Sequence, residues 1–209
     1  VVKRINKSSR FTKQIKVRNT LNFLTECASS YRNNVTTKVI SITGSCGKTT
    51  LKEMISSVMK TISKVSCSPK SYNNKYGVPL SLLNLKQNDE FGIFEAGMDK
   101  KGEIDYLTKI LDPNLGIITN ISYAHSKNFK NIRGIADAKG EMIDNIRPNG
   151  TLILNADDLF FDFHRKKALK KKLKVFSFGI NNKKSDIKLL KVVKINKIFK
   201  IFFKLNSKI

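Results

Sequence analysis

The sequence predicts an α/β fold: a P-loop-containing, doubly wound, mostly parallel sheet that ends in an antiparallel β-hairpin. Three observations predict it. Across residues 35–178, short apolar runs alternate with segments of helical periodicity, as in parallel strands joined by crossover helices. The first run, residues 38–43, leads into a glycine-bounded turn and then a helical pattern, the strand–loop–helix order of a phosphate-binding loop. After Gly179 the helical patterns stop, and residues 187–193 and 198–204 alternate apolar with polar, as a hairpin does.

Taken in order, residues 1–34 read as a basic lead-in with one helix, marked by Leu21, Phe23, Leu24 and Ala28, and as a junction to something longer. Residues 35–209 read as the domain proper. The helix after the phosphate loop carries Leu51, Met54, Ile55, Val58, Met59 and Ile62 at helical spacing and is expected to bury them. A strand at 64–68 runs into Pro69 and the Asn73-Asn74-Lys75-Tyr76-Gly77 loop, and Pro79 opens a short helix. Further strands are expected at 91–94, 115–121, 151–154 and 174–178, and further helices at 103–110, 132–146 and 157–172. Pro148-Asn149-Gly150 is a turn, and His164, in a Lys/Arg-rich helix, is expected at the surface.

Charge is unevenly placed. The net charge is +24, but residues 39–164 contribute only +1, against +8 from residues 1–38 and +15 from residues 165–209. Nucleic-acid binding through the basic ends is one reading. Solvated lysine faces are the preferred one, because no interleaved aromatic-basic motif accompanies the charge. There is no run of 18 apolar residues and no apolar leader, so neither a membrane span nor a signal peptide is expected. Cys27, Cys46 and Cys67 form no C-x-x-C pair, which suits a reduced, cytoplasmic setting. Cys46, at a helix N-terminus, is either a reactive thiol or a small residue that fits the loop.

The chemistry gathers at the carboxyl ends of the strands, where open α/β sheets bind ligands. Gly44, Ser45, Cys46, Gly47, Lys48, Thr49 and Thr50 form the loop: backbone N–H groups and a helix N-terminus face an anion, Lys48 reaches the phosphates and the Thr49 hydroxyl reaches Mg²⁺. Glu95 ends an apolar strand beside that loop and is placed to hold Mg²⁺. The next strand, 115–121, delivers Asn120, and His125 lies four residues past its end. Lys139 lies in the middle of the apolar face formed by Ile132, Ile135, Ala136, Met142, Ile143 and Ile146. A buried ammonium is costly, so Lys139 snorkels to the edge, forms an ion pair or serves as a functional amine. Carbamylation by CO₂, which would give an anionic oxygen ligand, fits the last reading.

These residues resemble the central, ATP-binding domain of the Mur ligase family. The matching segments are Ile42-Thr43-Gly44-Ser45-Cys46-Gly47-Lys48-Thr49-Thr50-Leu51-Lys52-Glu53-Met54, Asn73-Asn74-Lys75-Tyr76-Gly77-Val78-Pro79, Glu95-Ala96-Gly97-Met98, Thr119-Asn120-Ile121, Ala124-His125, Gly134-Ile135-Ala136, Ala138-Lys139-Gly140-Glu141 and Asn155-Ala156-Asp157. The short loop departs from the generic eight-residue pattern, because Ile42 stands where that pattern has glycine, and it resembles the family's own form. The branch most resembled adds D-Ala-D-Ala to UDP-MurNAc-tripeptide in peptidoglycan precursor synthesis. The resemblance implies an ADP-forming amide ligase with two Mg²⁺ sites. Thr49 and Glu95 would serve the first, His125 and carbamylated Lys139 the second. Asn74 would lie near the γ-phosphate and the reacting carboxylate. Lys48, Asn74, His125 and Lys139 are the implied catalytic residues. A monomer is expected. The family's N-terminal substrate domain, a downstream Gly-x-His-Asn segment and the C-terminal domain have no counterpart here, so the chain is expected not to ligate alone. The competing readings are another Mur-type or folylpolyglutamate synthase-like ligase, a P-loop NTPase with basic nucleic-acid-binding ends, and a basic binding module without chemistry.

Overall fold

A computed structural model describes residues 1–5, 13–123, 128–182, 185–196 and 198–205. Its helices are α1 (Thr20–Asn33), α2 (Lys48–Met59), α3 (Gly77–Leu83), α4 (Glu103–Leu111), α5 (Ile132–Lys139), α6 (Glu141–Asn145) and α7 (Phe161–Lys170). Its strands are β1 (Lys38–Thr43), β2 (Val65–Cys67), β3 (Phe91–Glu95), β4 (Leu115–Ile118), β5 (Thr151–Asn155), β6 (Lys174–Gly179), β7 (Ile187–Ile195) and β8 (Ile198–Leu205). They form one sheet in the order β2-β3-β1-β4-β5-β6-β7-β8. All neighbours pair in parallel except β7 and β8, so the expected parallel sheet and terminal hairpin are both present. No helix among the described residues is long and apolar enough to cross a membrane.

Alternation along the central strands divides the core into two layers. Val39, Phe94, Ile118, Leu152 and Leu154 face a large cluster that takes in Ala28 of α1, Val78 and Leu82 of α3, Leu107 of α4, and Ile135 and Met142 of α5 and α6. Ile40, Ile42, Ile93 and Ile117 face the opposite side, where Leu51, Ile55 and Met59 of α2 pack on them. Strands covered on both faces read as continuous apolar runs, which is why β1, β3 and β4 were legible. α1 is tied to the body by polar contacts as well. Buried Arg32 donates to the carbonyls of Leu111 (2.8 Å) and Asp112 (3.0 Å), satisfying the C-terminal end of α4. Burial and the nearby Arg147 bring its pKa down to about 10.

Three expectations need correction. Half of the α2 stripe is outside: Met54, Val58 and Ile62 are 62%, 67% and 78% exposed, and the buried positions are Lys52 and Ser56. The 132–146 helix is two helices meeting at Gly140. A Cβ at Gly140 would lie 3.1 Å from the His164 ring, so the junction is packed against that side chain. His164 is buried, not at the surface; its Nε2 bonds the Ala136 carbonyl at 2.9 Å, which ties α7 to α5. Burial lowers its pKa, so the neutral ring is favoured there.

Candidate active site

The phosphate loop leaves β1 at Thr43 and is fixed on its far side by the residues that follow β4. Ser45 N donates to the Asn120 carbonyl at 2.9 Å, and Cys46 N to Asn120 Oδ1 at 3.1 Å. Thr119 Oγ1 and Asn120 Nδ2 donate to the Cys46 carbonyl at 2.7 and 3.2 Å. Gly44 has φ +148°, and a Cβ there would lie 1.9 Å from Thr119 Oγ1, so only glycine fits. Gly47, at φ +81°, is the N-cap of α2 and leaves the first N–H groups of the helix to an incoming anion.

Two lysine amines converge on one backbone carbonyl. Lys48 Nζ donates to Gly44 O at 2.8 Å, and Lys139 Nζ donates to the same oxygen at 3.0 Å. Lys139 is 1% exposed and has no ion-pair partner among the described residues, which sets aside the snorkelling and ion-pair readings. Burial is the main cause, and the charge of Lys48 the second, that bring its pKa from 10.5 down to about 7. Burial also lowers the pKa of Lys48, with Glu95 and Cys46 acting in the opposite sense. Lys48 beside the buried amine of Lys139, with no carboxylate between them among the described residues, leaves the loop poised for anions.

Glu95 is fully buried at the end of β3. Its Oε2 accepts from Thr49 Oγ1 at 3.1 Å, so the two predicted Mg²⁺-side residues are in contact. Lys52 Nζ stands 3.2 Å from Oε1 as an ion pair but off the direction a hydrogen bond requires, leaving Oε1 buried with no hydrogen-bond partner. The Thr49 hydroxyl and the Glu95 carboxylate together present the oxygens that a hard, oxygen-preferring cation such as Mg²⁺ takes. Among the described residues no three His, Cys, Asp or Glu side chains gather, so such an ion would take most of its ligands from phosphate and water.

The amine of Lys52 was not singled out from sequence, although its spacing four residues after Lys48 places it on the same side of α2. Asn74 borders a cleft of about 780 Å³ that also includes Lys48, Asn73, Tyr76, Gly97 and Tyr106. Its Oδ1 accepts from the N–H groups of Tyr76 (3.1 Å) and Gly77 (3.0 Å), which starts α3 and leaves its NH₂ as the group it can offer the cleft. The 99–103 wall is held by Glu103 Oε2, which accepts from Asp99 N at 2.6 Å, and by Glu141, which accepts from Gly102 N at 2.9 Å. His125 lies outside the described residues.

The structure brings together a shortened loop, an acid at the end of β3 and a buried lysine on α5, and comparison with known proteins places the chain as a whole. Residues 42–208 match the Mur ligase middle domain. The chain belongs to the Mur ligase family. The UDP-N-acetylmuramoyl-tripeptide–D-alanyl-D-alanine ligase of Buchnera aphidicola subsp. Baizongia pistaciae is 40% identical over 169 residues, 81% of this chain and 37% of that protein. Among solved structures, MurF from Acinetobacter baumannii superposes with a TM-score of 0.84 at 30% identity, covering 95% of this chain and 44% of that one. The MurF ligase from Thermotoga maritima, solved in complex with ADP, gives a TM-score of 0.82 at 26% identity, covering 94% of this chain and 46% of that one. The chain thus spans less than half the length of these Mur ligases.

Proposed function

We propose that the chain is the nucleotide-binding part of an ADP-forming ligase that joins D-Ala-D-Ala to UDP-MurNAc-tripeptide in peptidoglycan precursor synthesis. The observation that carries the reading is the pairing of two amines, Lys48 and Lys139, on the Gly44 carbonyl with the Thr49–Glu95 contact across the loop. In this reading residues 35–209 are the middle domain and residues 1–34 the junction to a substrate domain. The enzyme works in the cytoplasm as a monomer, which suits the three free cysteines. Nucleic acid is not a partner.

The loop 44–50 would bind the phosphates of ATP through the N–H groups at the start of α2, and Lys48 would follow the transferred phosphoryl group. Asn74 would orient the tripeptide carboxylate as it becomes an acyl phosphate, which the amine of D-Ala-D-Ala then attacks with loss of phosphate. Thr49 and Glu95 would hold one Mg²⁺, with Lys139 and His125 serving a second. When bound, Mg²⁺ would neutralise phosphate charge. Lys139 would serve as a carbamate: its neutral amine forms an N–C bond to CO₂ and releases one proton, turning a cation into an oxygen donor. Burial beside Lys48 favours the neutral amine that this step needs.

The test is calorimetry of Mg·ATP and of a single-stranded oligonucleotide against the wild-type chain and Lys48→Ala. Nucleotide binding that Lys48→Ala removes is expected. Oligonucleotide binding that is steeply salt-dependent and intact in Lys48→Ala, without nucleotide binding, would overturn the reading in favour of a basic nucleic-acid module.

A further inference from the structure

We infer that Lys52 is a positioning residue, setting Glu95 and the loop that carries Asn73 and Asn74 in place for Mg²⁺-dependent nucleotide binding. Among the described residues, Lys52 is the only lysine besides Lys139 in the set of largest fully buried side chains. Its Nζ meets three segments. It lies 3.2 Å from Glu95 Oε1 at the end of β3 and 3.1 Å from Glu53 Oε1 on its own helix. It donates to the Ser68 carbonyl at 2.7 Å and to the Lys70 carbonyl, both in the loop after β2. Lys70 holds a left-handed backbone conformation, φ +47°, which is costly for a side-chain-bearing residue and needs support. Three residues further on, the Asn73 carbonyl accepts from Gly97 N at 2.8 Å, which closes the loop back onto the end of β3.

This arrangement does two things. It places the Lys52 ammonium on one oxygen of a wholly buried carboxylate, which leaves the second oxygen of Glu95 turned to Thr49. It also couples the carboxylate to the Asn73–Asn74 wall of the cleft, so both sides of the phosphate site are referred to one ammonium. Lys52 itself donates away from the phosphate loop, and none of its hydrogen bonds reaches residues 44–48. Its action on nucleotide therefore runs through Glu95 and the loop. Supporting residues around a metal site commonly change metal affinity by about 10- to 100-fold when removed.

The inference rests on the nucleotide-binding reading, and the experiment separates the two. Calorimetry of ADP with and without Mg²⁺, and of Mg²⁺-free tripolyphosphate, is run on wild-type, Lys52→Met and Lys48→Ala. In Lys52→Met the tightening of ADP by Mg²⁺ is expected to fall by about tenfold or more, with tripolyphosphate affinity within about twofold of wild-type. A merely structural lysine would move both ligands together. Equal loss of both, or a Mg²⁺ effect of wild-type size in Lys52→Met, would overturn the inference while leaving the phosphate loop standing. No binding of either ligand to wild-type would overturn the nucleotide reading and this inference with it. Should Lys52→Met not fold, Lys52→Met/Glu95→Gln decides: recovery of the fold supports action through the Glu95 charge, and a double variant no more stable than the single refutes it.

Discussion

Lys139 makes the stability of this protein depend on pH in a direction opposite to that of an ordinary ion-paired lysine. The amine is buried, with Lys48 beside it and no carboxylate partner among the described residues, and its pKa falls from 10.5 to about 7. That fall corresponds to about 5 kcal/mol of disfavoured ammonium. The sign follows from proton counting. Between pH 7 and 10.5 the unfolded chain holds a proton on this lysine that the folded chain does not, so unfolding free energy rises with pH across that window. Below pH 7 both states are protonated and the full penalty is present. From pH 6 to pH 9 the gain amounts to about 2.7 kcal/mol. The perturbation is Lys139→Met, which removes the titrating group and keeps most of its volume. The assay is urea unfolding of both chains at several pH values from 6 to 9 in CO₂-free buffer, read as the difference between them so that shared titrations of His164 and Lys171 cancel. The wild-type curve should climb towards that of the variant by about 2 to 3 kcal/mol over this range. Two curves that stay parallel would refute the reasoning. Admitting ¹³C-bicarbonate should then produce a carbamate resonance that Lys139→Met lacks.

Two further predictions concern the loop and its support. Gly44→Ala combines a φ of +148° with a Cβ 1.9 Å from Thr119 Oγ1, and should cost about 3 kcal/mol and remove tripolyphosphate binding. Gly47→Ala, at φ +81° with nothing near its Cβ, should cost only about 1 to 2 kcal/mol; equal urea midpoints for the two variants would contradict the clash. Arg32→Met leaves the Leu111 and Asp112 carbonyls unpaired and should destabilise the chain by about 3 kcal/mol, measured by urea unfolding, with tripolyphosphate affinity unchanged.

Much of the site was present in the linear pattern. The phosphate loop is a contiguous segment whose glycines are needed locally, and Glu95 is the terminal residue of an apolar strand. Helical spacing alone placed Lys139 among apolar neighbours, and the structure buries it there. The face of α2 was not legible in the same way. Periodicity says which residues share a side of a helix, but not which side is covered. Here the anchoring of Gly44 to Cys46 on residues 119–122, together with the Lys52–Glu95 ion pair, rotates Lys52 and Ser56 inward and leaves Met54 and Val58 in solvent.

By itself the sequence determined the alternation of strands and helices, the parallel sheet with its terminal hairpin, and the place of the glycine-bounded loop between β1 and α2, because each depends on short-range geometry and on the hydrophobic period. Only the tertiary structure decided the rest. His164 is inside because α7 crosses the α5–α6 junction at a glycine. Arg32 is inside because α1 meets the end of α4. Lys52 faces Glu95 across 43 positions of sequence because β3 lies beside β1, from which α2 departs. Burying a charge is favourable only where a partner of opposite charge or a set of carbonyls has been brought to meet it, and that meeting is made by strand order, which no local pattern encodes.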